Sequence, residues 1–322
     1  MQKFPKPTVV LSKCLEFEAC RYNAQVIPDS FVKKIEPYVN FKPVCPEVEI
    51  GLGVPRDPIR VISHGKETRL VQPATGRNIS TKMLGFAGNY LKSLNAVDGF
   101  ILKSRSPSCG IKDVKLFANP QDGLAIGKTI GFFAGRVLER FPGLAIEDEG
   151  RLRNFKLREH FLTKLYLLAS FRNVKREKSI KGLISFHSRN KFLMMAYNQK
   201  TMRILGRIVA NQKNAGYQET IAQYEEHLIT AFMSPPRKTS YINVLMHSLG
   251  YFSDRLTSKE KAYFLDLLED FRNAKMPISA ILVILKAWII KYEQKYLEEQ
   301  TIFEPYPREL IEISDSGKGR DM

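Results

Sequence analysis

Short apolar runs alternate with segments of helical periodicity over the first 150 residues of the chain. The apolar runs, bounded by turn-forming residues, predict strands over Thr8–Ser12, Phe41–Val44, Arg60–Ser63, Arg69–Gln72 and Gly99–Lys103. The periodic segments predict helices over Ser30–Glu36, Ser80–Leu94 (with Ser80 as N-cap), Ile126–Phe141 and Leu152–Phe171. The glycines and prolines between Pro46 and Pro58 predict a loop. This alternation predicts an α/β domain with a mostly parallel sheet.

Every long segment after residue 182 has helical periodicity instead. Helices are predicted over Phe186–Ala210, Tyr217–Met233, Tyr241–Phe252, Lys259–Asn273 and Ile278–Glu299. His247 lies in an apolar part of this pattern and is expected to be a core histidine. The chain is therefore predicted to contain an α/β domain over residues 1–165, a polar, basic linker over 166–181, an all-helical domain over 182–305 and a tail over 306–322 that frays at its polar end.

The charge of the chain is concentrated in one segment. The whole chain of 322 residues has a net charge of +17, and residues 151–213 contain 16 Lys and Arg against 2 Glu. A segment this basic predicts binding to a nucleic acid, whereas a solvated helical face usually mixes both signs. The expected contacts to the phosphate backbone are Lys175, Arg176, Lys178 and Lys181, followed by Arg189 and Lys191 beside His187.

The composition is that of an ordinary soluble domain, with 44% apolar and 26% charged residues. The longest mostly apolar stretch, Ile278–Ile290, is shorter than the roughly 20 residues of a membrane span, so we expect a buried helix there and no membrane association. No secretory signal is visible near Met1, and we expect a cytoplasmic protein.

Three of the four cysteines follow predicted strands: Cys14, Cys45 and Cys109. Loops at the carboxyl ends of parallel strands converge on one crevice, so we expect these thiols to meet. In a reducing compartment such a set indicates a metal site or a nucleophile, although buried structural thiols are the plainer alternative. Zinc normally has a close pair of cysteines, which this chain lacks, while an iron–sulfur cluster accepts distant ligands; spacing alone leaves both open.

Several blocks of sequence resemble the thiouracil desulfidase family over residues 7 to about 165. They are Ser12-Lys-Cys14 with Cys20-Arg-Tyr-Asn23, the segment from Val44 to Arg56, Thr75-Gly-Arg77 and the segment from Leu102 to Gly110. The helical part is similar to a second family, usually fused to the first, in segments starting at Phe186, Asn243 and Glu304. Fusions of this kind are understood as desulfidases that remove sulfur from 4-thiouridine in tRNA.

The resemblance implies a [4Fe–4S] cluster held by Cys14, Cys45 and Cys109, with Cys20 beside it or spare. It also implies non-redox replacement of sulfur by water, which needs a general base. Glu47 and Glu49, after Cys45, are the candidate bases, and Glu47 is preferred. Ser106 and Ser108, with Ser104, would bind the base edge or the cluster sulfurs. Lys103 and Arg105 would hold a phosphate or a developing charge, and Arg21 and Tyr22 would clamp the base.

Two other functions fit the residues. The first is desulfuration of free thiouracil or of thionucleosides, against which the basic segment argues. The second is a non-catalytic tRNA-binding module with a structural metal centre. Insertion of sulfur would usually require nucleotide activation, and the chain contains no P-loop motif to support that reaction.

Overall fold

The computed structural model describes residues 3–312, except the side chains of residues 212–215. The chain divides into two compact units, of which the first comprises residues 1–169 with 309–322 and the second residues 170–308. The elements of the first unit, in chain order, are β1 (Thr8–Ser12), α1 (Ser30–Ile35), β2 (Asn40–Val44), α2 (Pro46–Glu49), β3 (Arg60–His64), β4 (Glu67–Gln72), β5 (Arg77–Asn78), α3 (Ser80–Ser93), β6 (Gly99–Leu102), β7 (Val114–Phe117), β8 (Gly127–Thr129), α4 (Phe132–Arg140), β9 (Ala145–Asp148) and most of α5 (Phe155–Glu177).

A four-stranded parallel sheet organises this unit, in the order β2-β1-β6-β9. Its central strands are buried on both faces: Val9, Val10 and Leu11 of β1 are inaccessible to solvent, and all four residues of β6 are buried. Gly99 permits this packing, because a Cβ at that position would lie 2.7 Å from the Ala145 carbonyl oxygen. The predicted α/β domain with a parallel sheet is confirmed.

A second sheet, of five strands in the order β5-β4-β3-β7-β8, contains both parallel and antiparallel pairs. The predicted helix over Ile126–Phe141 is wrong before residue 132, because Gly127–Thr129 pairs with β7 as an edge strand. The predicted loop after Pro46 contains a short helix, with Pro46 at its first position. Ser80 is the first residue of α3 and not its N-cap, and its hydroxyl accepts a hydrogen bond from the Leu70 amide.

The second unit is helical, as predicted. It contains the end of α5, then α6 (Ile180–Ala210), α7 (Gln212–Ala231), α8 (Lys238–Gly250), α9 (Ser258–Arg272), α10 (Ile278–Lys291) and α11 (Lys295–Glu298). The rings of Phe171, Phe186 and Tyr224 pack together in its core. Helix α6 is kinked at Asn198, whose backbone is not helical (φ −157°, ψ 98°).

The predicted linker is helical. Residues 166–177 belong to α5, and α6 begins at Ile180. Phe171 and Val174, three residues apart, are buried, while Arg176, Glu177 and Lys178 after them are exposed; this run of charges hides the helical period in the sequence. The predicted tail also begins inside the fold, because Tyr306 and Leu310 are buried; its residues 313–322 lie outside the described part of the chain.

Two predictions of burial in the helical unit are wrong. His247 is exposed, as is its neighbour Met246 on α8. Helix α10 is buried only on the side of Ile281, Leu285 and Ile289, while Val283 and Ile290 are exposed. Within residues 3–312, no helix has the length and apolar character needed to cross a membrane.

Candidate active site

The cysteines lie at the carboxyl edge of the parallel sheet. Ser12, the last residue of β1, pairs with Val44, the last residue of β2, so Cys14 and Cys45 leave neighbouring strands at the same level. Cys109 ends the loop that follows β6, the strand on the other side of β1. All four cysteines are free thiols; Cys14 is half-buried, and the others are buried.

The thiols are close enough to change one another's pKa. The Cys20 thiol interacts with both Cys14 and Cys45, and the interaction with Cys14, together with burial, raises the pKa of Cys20 to about 11. The contact with Cys20, followed by burial, raises the pKa of Cys45 far above its ordinary value. Burial raises the pKa of Cys109 to about 12, against the opposing effect of a hydrogen bond with Ser12. A bound metal would therefore displace protons from these thiols.

The loop that carries Cys109 is held against the start of α4. The Gly131 amide donates to the Gly110 carbonyl at 2.8 Å, and the Phe133 amide to the Ser108 carbonyl at 2.9 Å. A Cβ on Gly131 would lie 2.5 Å from the Ser108 carbonyl oxygen, so only glycine permits this approach. The loop is thereby fixed on the side of the sheet edge where the other thiols lie.

Glu47 is fixed among these thiols by an arginine that the sequence analysis did not single out. Its Oε2 accepts hydrogen bonds from Nε and Nη2 of Arg56, at 2.9 and 2.6 Å. Nη1 of Arg56 donates to the carbonyls of Cys20 and Gly53, both at 2.9 Å. The Arg56 side chain is only 4% exposed and that of Glu47 13%. The available signal was the position of Arg56 at the end of the block that starts at Val44.

The two serines form a directed chain of hydrogen bonds to the same carboxylate. Ser108 Oγ donates to Glu47 Oε1 at 2.6 Å, and Ser106 Oγ lies 3.0 Å from Ser108 Oγ. A hydroxyl has one proton to donate, so Ser106 is the donor to Ser108 when Ser108 donates to Glu47. Ser108 is 1% exposed, whereas Ser106 is half-buried. The structure therefore brings together Glu47, Ser106 and Ser108 beside Cys109.

Other predicted residues of this loop have different partners. Nζ of Lys103 donates to Glu149 Oε1 at 2.5 Å, and Ser104 Oγ donates to the same oxygen at 2.6 Å. Lys103 and Ser104 therefore brace the loop against the buried Glu149, which the sequence analysis missed. Arg105 is exposed, as is Glu49, while Tyr22 is 43% exposed with Arg21 over its ring.

Some of the basic residues predicted to contact phosphate are paired or packed against other side chains of the protein. Lys175 is paired with Glu225 at 2.5 Å, and His187 packs on Tyr224, where burial lowers its pKa to about 4. The other five are exposed and have no ion-pair partner within the described chain: Arg176, Lys178, Lys181, Arg189 and Lys191.

The residues from 3 to 312 contain no group of three His, Cys, Asp or Glu side chains gathered around a position for a single metal ion. The fold and the site together define an α/β protein with neighbouring thiols and a paired glutamate at the carboxyl edge of a parallel sheet. A family model described as 2-thiouracil desulfurase matches residues 9–149, and one described as a protein of unknown function (DUF1722) matches residues 191–307. The chain belongs to the 2-thiouracil desulfurase family. Its helical part matches the second family, DUF1722.

The chain is similar to two curated proteins without an assigned activity. It is 28% identical to "Uncharacterized protein YbgA" of Escherichia coli (strain K12) over 158 residues, which are 48% of this chain and 93% of YbgA. It is 30% identical to "Uncharacterized protein YbbK" of Bacillus subtilis (strain 168) over 110 residues, 32% of this chain and 72% of YbbK. The solved structure of "[4Fe-4S]-dependent thiouracil desulfidase TudS" is 24% identical, with a TM-score of 0.37 over 46% of this chain and 93% of that one.

Proposed function

We propose that this protein is an iron–sulfur-dependent desulfidase that converts 4-thiouridine in tRNA to uridine by non-redox removal of sulfur. The observation that carries the proposal is the Glu47 carboxylate, which is held beside Cys20, Cys45 and Cys109 by Arg56 and Ser108. In a member of the 2-thiouracil desulfurase family, this arrangement supports Glu47 as a proton acceptor beside the proposed sulfur ligands.

The residues at the sheet edge fit a [4Fe–4S] cluster held by Cys14, Cys45 and Cys109. The donor set contains thiols from three separate loops, as cluster sites commonly do, and the buried Cys20 lies between two of them. When bound, such a cluster supplies a Lewis-acidic iron that matches the softness of a thiocarbonyl sulfur.

Glu47 is the proton acceptor for the attacking water in this reaction. Its Oε2 is occupied by Arg56, whereas among residues 3–312 Oε1 accepts only the Ser108 hydroxyl and keeps a lone pair for a water molecule. As the water oxygen forms its bond to the ring carbon, its proton moves to Oε1. The C–S bond then breaks, sulfur leaves as sulfide, and the carbon keeps its oxidation state. Ser106, the partly exposed end of this chain of hydrogen bonds, binds the polar edge of the base.

The RNA substrate is supported by the charge of the helical unit. Arg176, Lys178, Lys181, Arg189 and Lys191 are exposed and unpaired among the described residues, as contacts to a polynucleotide backbone need to be. A second candidate is desulfuration of free thiouracil, which the description of the matched family favours. A tRNA-binding module with a structural metal centre remains the non-catalytic alternative.

Anaerobic loading with iron and sulfide, followed by separate incubation with 4-thiouridine-containing tRNA and free thiouracil, tests the proposal. Conversion of the RNA with release of sulfide supports it. Conversion of the free base alone supports the second candidate, and no conversion of either by protein that contains iron supports the binding module.

A pair of cysteine variants tests the ligand set independently of turnover. Cys109→Ser should lose bound iron and labile sulfide, whereas the control Cys20→Ser should retain both. The reverse result would contradict the assignment of the ligands.

A further inference from the structure

A small pocket in the helical unit has no part in the chemistry described above. It has a volume of about 190 Å³ and lies where the kink of α6 faces α8. Asn198 makes the kink, and its Oδ1 accepts a hydrogen bond from the Thr201 amide at 3.0 Å, which restarts the helix. The lining residues are Met195, Gln199, Thr239, Ser240 and Asn243.

The lining of this pocket is polar but uncharged. Gln199, Thr239, Ser240 and Asn243 contribute two amides and two hydroxyls, and within the described chain none of these side chains has a hydrogen-bond partner. Amides present a donor and an acceptor side by side, which is the pattern that pairs with the edge of a nucleobase. Met195 adds a thioether, which packs well against an aromatic ring.

Basic residues lie next to the lining residues along both helices. Lys200 and Arg203 follow Gln199 along α6, and Arg237 and Lys238 precede Thr239 at the start of α8. All four are exposed, and none has an ion-pair partner within residues 3–312. No acidic residue lines the pocket. A polar cleft with a cationic rim matches a nucleotide, whose base is neutral and whose phosphates are anionic.

We propose that this pocket binds one unpaired nucleotide of an RNA strand, with the base against Gln199 and Asn243 and the adjoining phosphates on Lys200, Arg203, Arg237 and Lys238. Pockets for drug-sized ligands usually measure about 300–1,000 Å³. The volume here, about 190 Å³, accepts a group the size of a single base and excludes a duplex. The inference rests on the proposed RNA substrate but not on the removal of sulfur.

The test measures the affinity of the full-length protein for unthiolated, fluorescently labelled RNA. The probes are a single-stranded RNA of about 12 nucleotides, within the usual site sizes for single strands, the same strand with abasic positions, and a duplex. The pocket variant is Gln199→Ala with Asn243→Ala, and its control is Gln218→Ala, an exposed amide on α7. The charge variant is Lys200→Gln with Arg203→Gln.

We expect the pocket variant to bind the single strand about 10-fold more weakly than the control, with an unchanged salt dependence. The wild-type protein and the pocket variant should bind the abasic strand equally, because this strand has no base for the pocket to hold. The charge variant should reduce the slope of log affinity against log salt by about 1.4, or about 0.7 for each lost phosphate contact.

Equal binding of the single strand by the pocket variant and the control would overturn the proposal, as would an equal loss on the abasic strand. Thr239→Val, an isosteric change at an exposed residue, serves as a second variant if the double substitution unfolds the protein. Desulfuration of 4-thiouridine-containing tRNA by the iron-loaded wild-type protein is assayed separately. Its absence, with base-dependent RNA binding intact, would refute the proposed function and leave this pocket assignment standing.

Discussion

Removal of Arg56 from its pair with Glu47 should destabilise the protein more than removal of an arginine from a surface ion pair of the first unit. Arg56 makes two hydrogen bonds to the carboxylate and two to backbone carbonyls, and its side chain is only 4% exposed. Arg56→Met leaves Glu47, itself 13% exposed, without its counter-charge. Removal of one partner of a buried pair costs about 3–5 kcal/mol, because the remaining charge stays desolvated.

The measurement is denaturant unfolding of the metal-free protein under reducing conditions, followed by circular dichroism. The matched control is Arg136→Met, which removes an arginine paired with Glu139 on the exposed face of α4. Such surface pairs contribute about 0–1 kcal/mol. We therefore expect a clear separation between the two variants in the free energy of unfolding.

A double-substitution cycle separates the ion pair from the rest of the arginine side chain. Arg56→Met in a Glu47→Gln background should cost less than in the wild type, because no unpaired charge is then left behind. Arg56→Met should also lower desulfuration of thiouracil, since Glu47 Oε2 loses its anchor. Equal unfolding free energies for Arg56→Met and Arg136→Met would refute the reasoning.

Two further changes test the same region. Ser108→Ala removes a hydrogen bond to a charged group, worth about 1.5–3 kcal/mol, and should lower kcat about 10- to 100-fold. Ser106→Ala, at the partly exposed end of the hydrogen-bond chain, should act mainly on KM. The opposite split, measured in thiouracil turnover, would contradict these roles. Burial raises the pKa of Asp148 to about 6, so the protein is destabilised above that pH, where Asp148 is charged. Asp148→Asn should therefore stabilise it by about 3 kcal/mol at pH 8 and by nothing below pH 4, and a pH-independent difference in thermal midpoint would count against this.

The thiol-bearing edge of the sheet could be predicted because its signals are local. The buried strands β1, β2 and β6 are short apolar runs that end in turn residues, and parallel strands bring their carboxyl ends together. The position of each cysteine after a strand therefore predicted that they would lie close together. The structure brings Cys14, Cys20 and Cys45 into contact, while the ligand roles remain predictions.

The partners of Glu47 could not be predicted from the same patterns. Arg56 reaches Glu47 only because the chain turns between them through Gly51 and Gly53, whose φ angles are positive, and no periodicity describes such a path. The strands β7, β8 and β9 were missed for a related reason. Each has only three or four residues, several of them polar, and exists because a distant strand supplies its hydrogen bonds.

The strand order β2-β1-β6-β9 also determines when each cysteine can reach the others during synthesis of the chain. The segments with Cys14, Cys20 and Cys45 leave the ribosome well before β6, and Cys109 cannot reach them until β6 has docked against β1. Closure of that long connection is slow compared with local folding. The nascent chain therefore has three thiols close together, Cys14, Cys20 and Cys45, before Cys109 can join them. If Cys14, Cys45 and Cys109 are the ligands, as proposed, metal captured at that moment would be held by a different set of thiols, and the centre has to be filled after the sheet is complete.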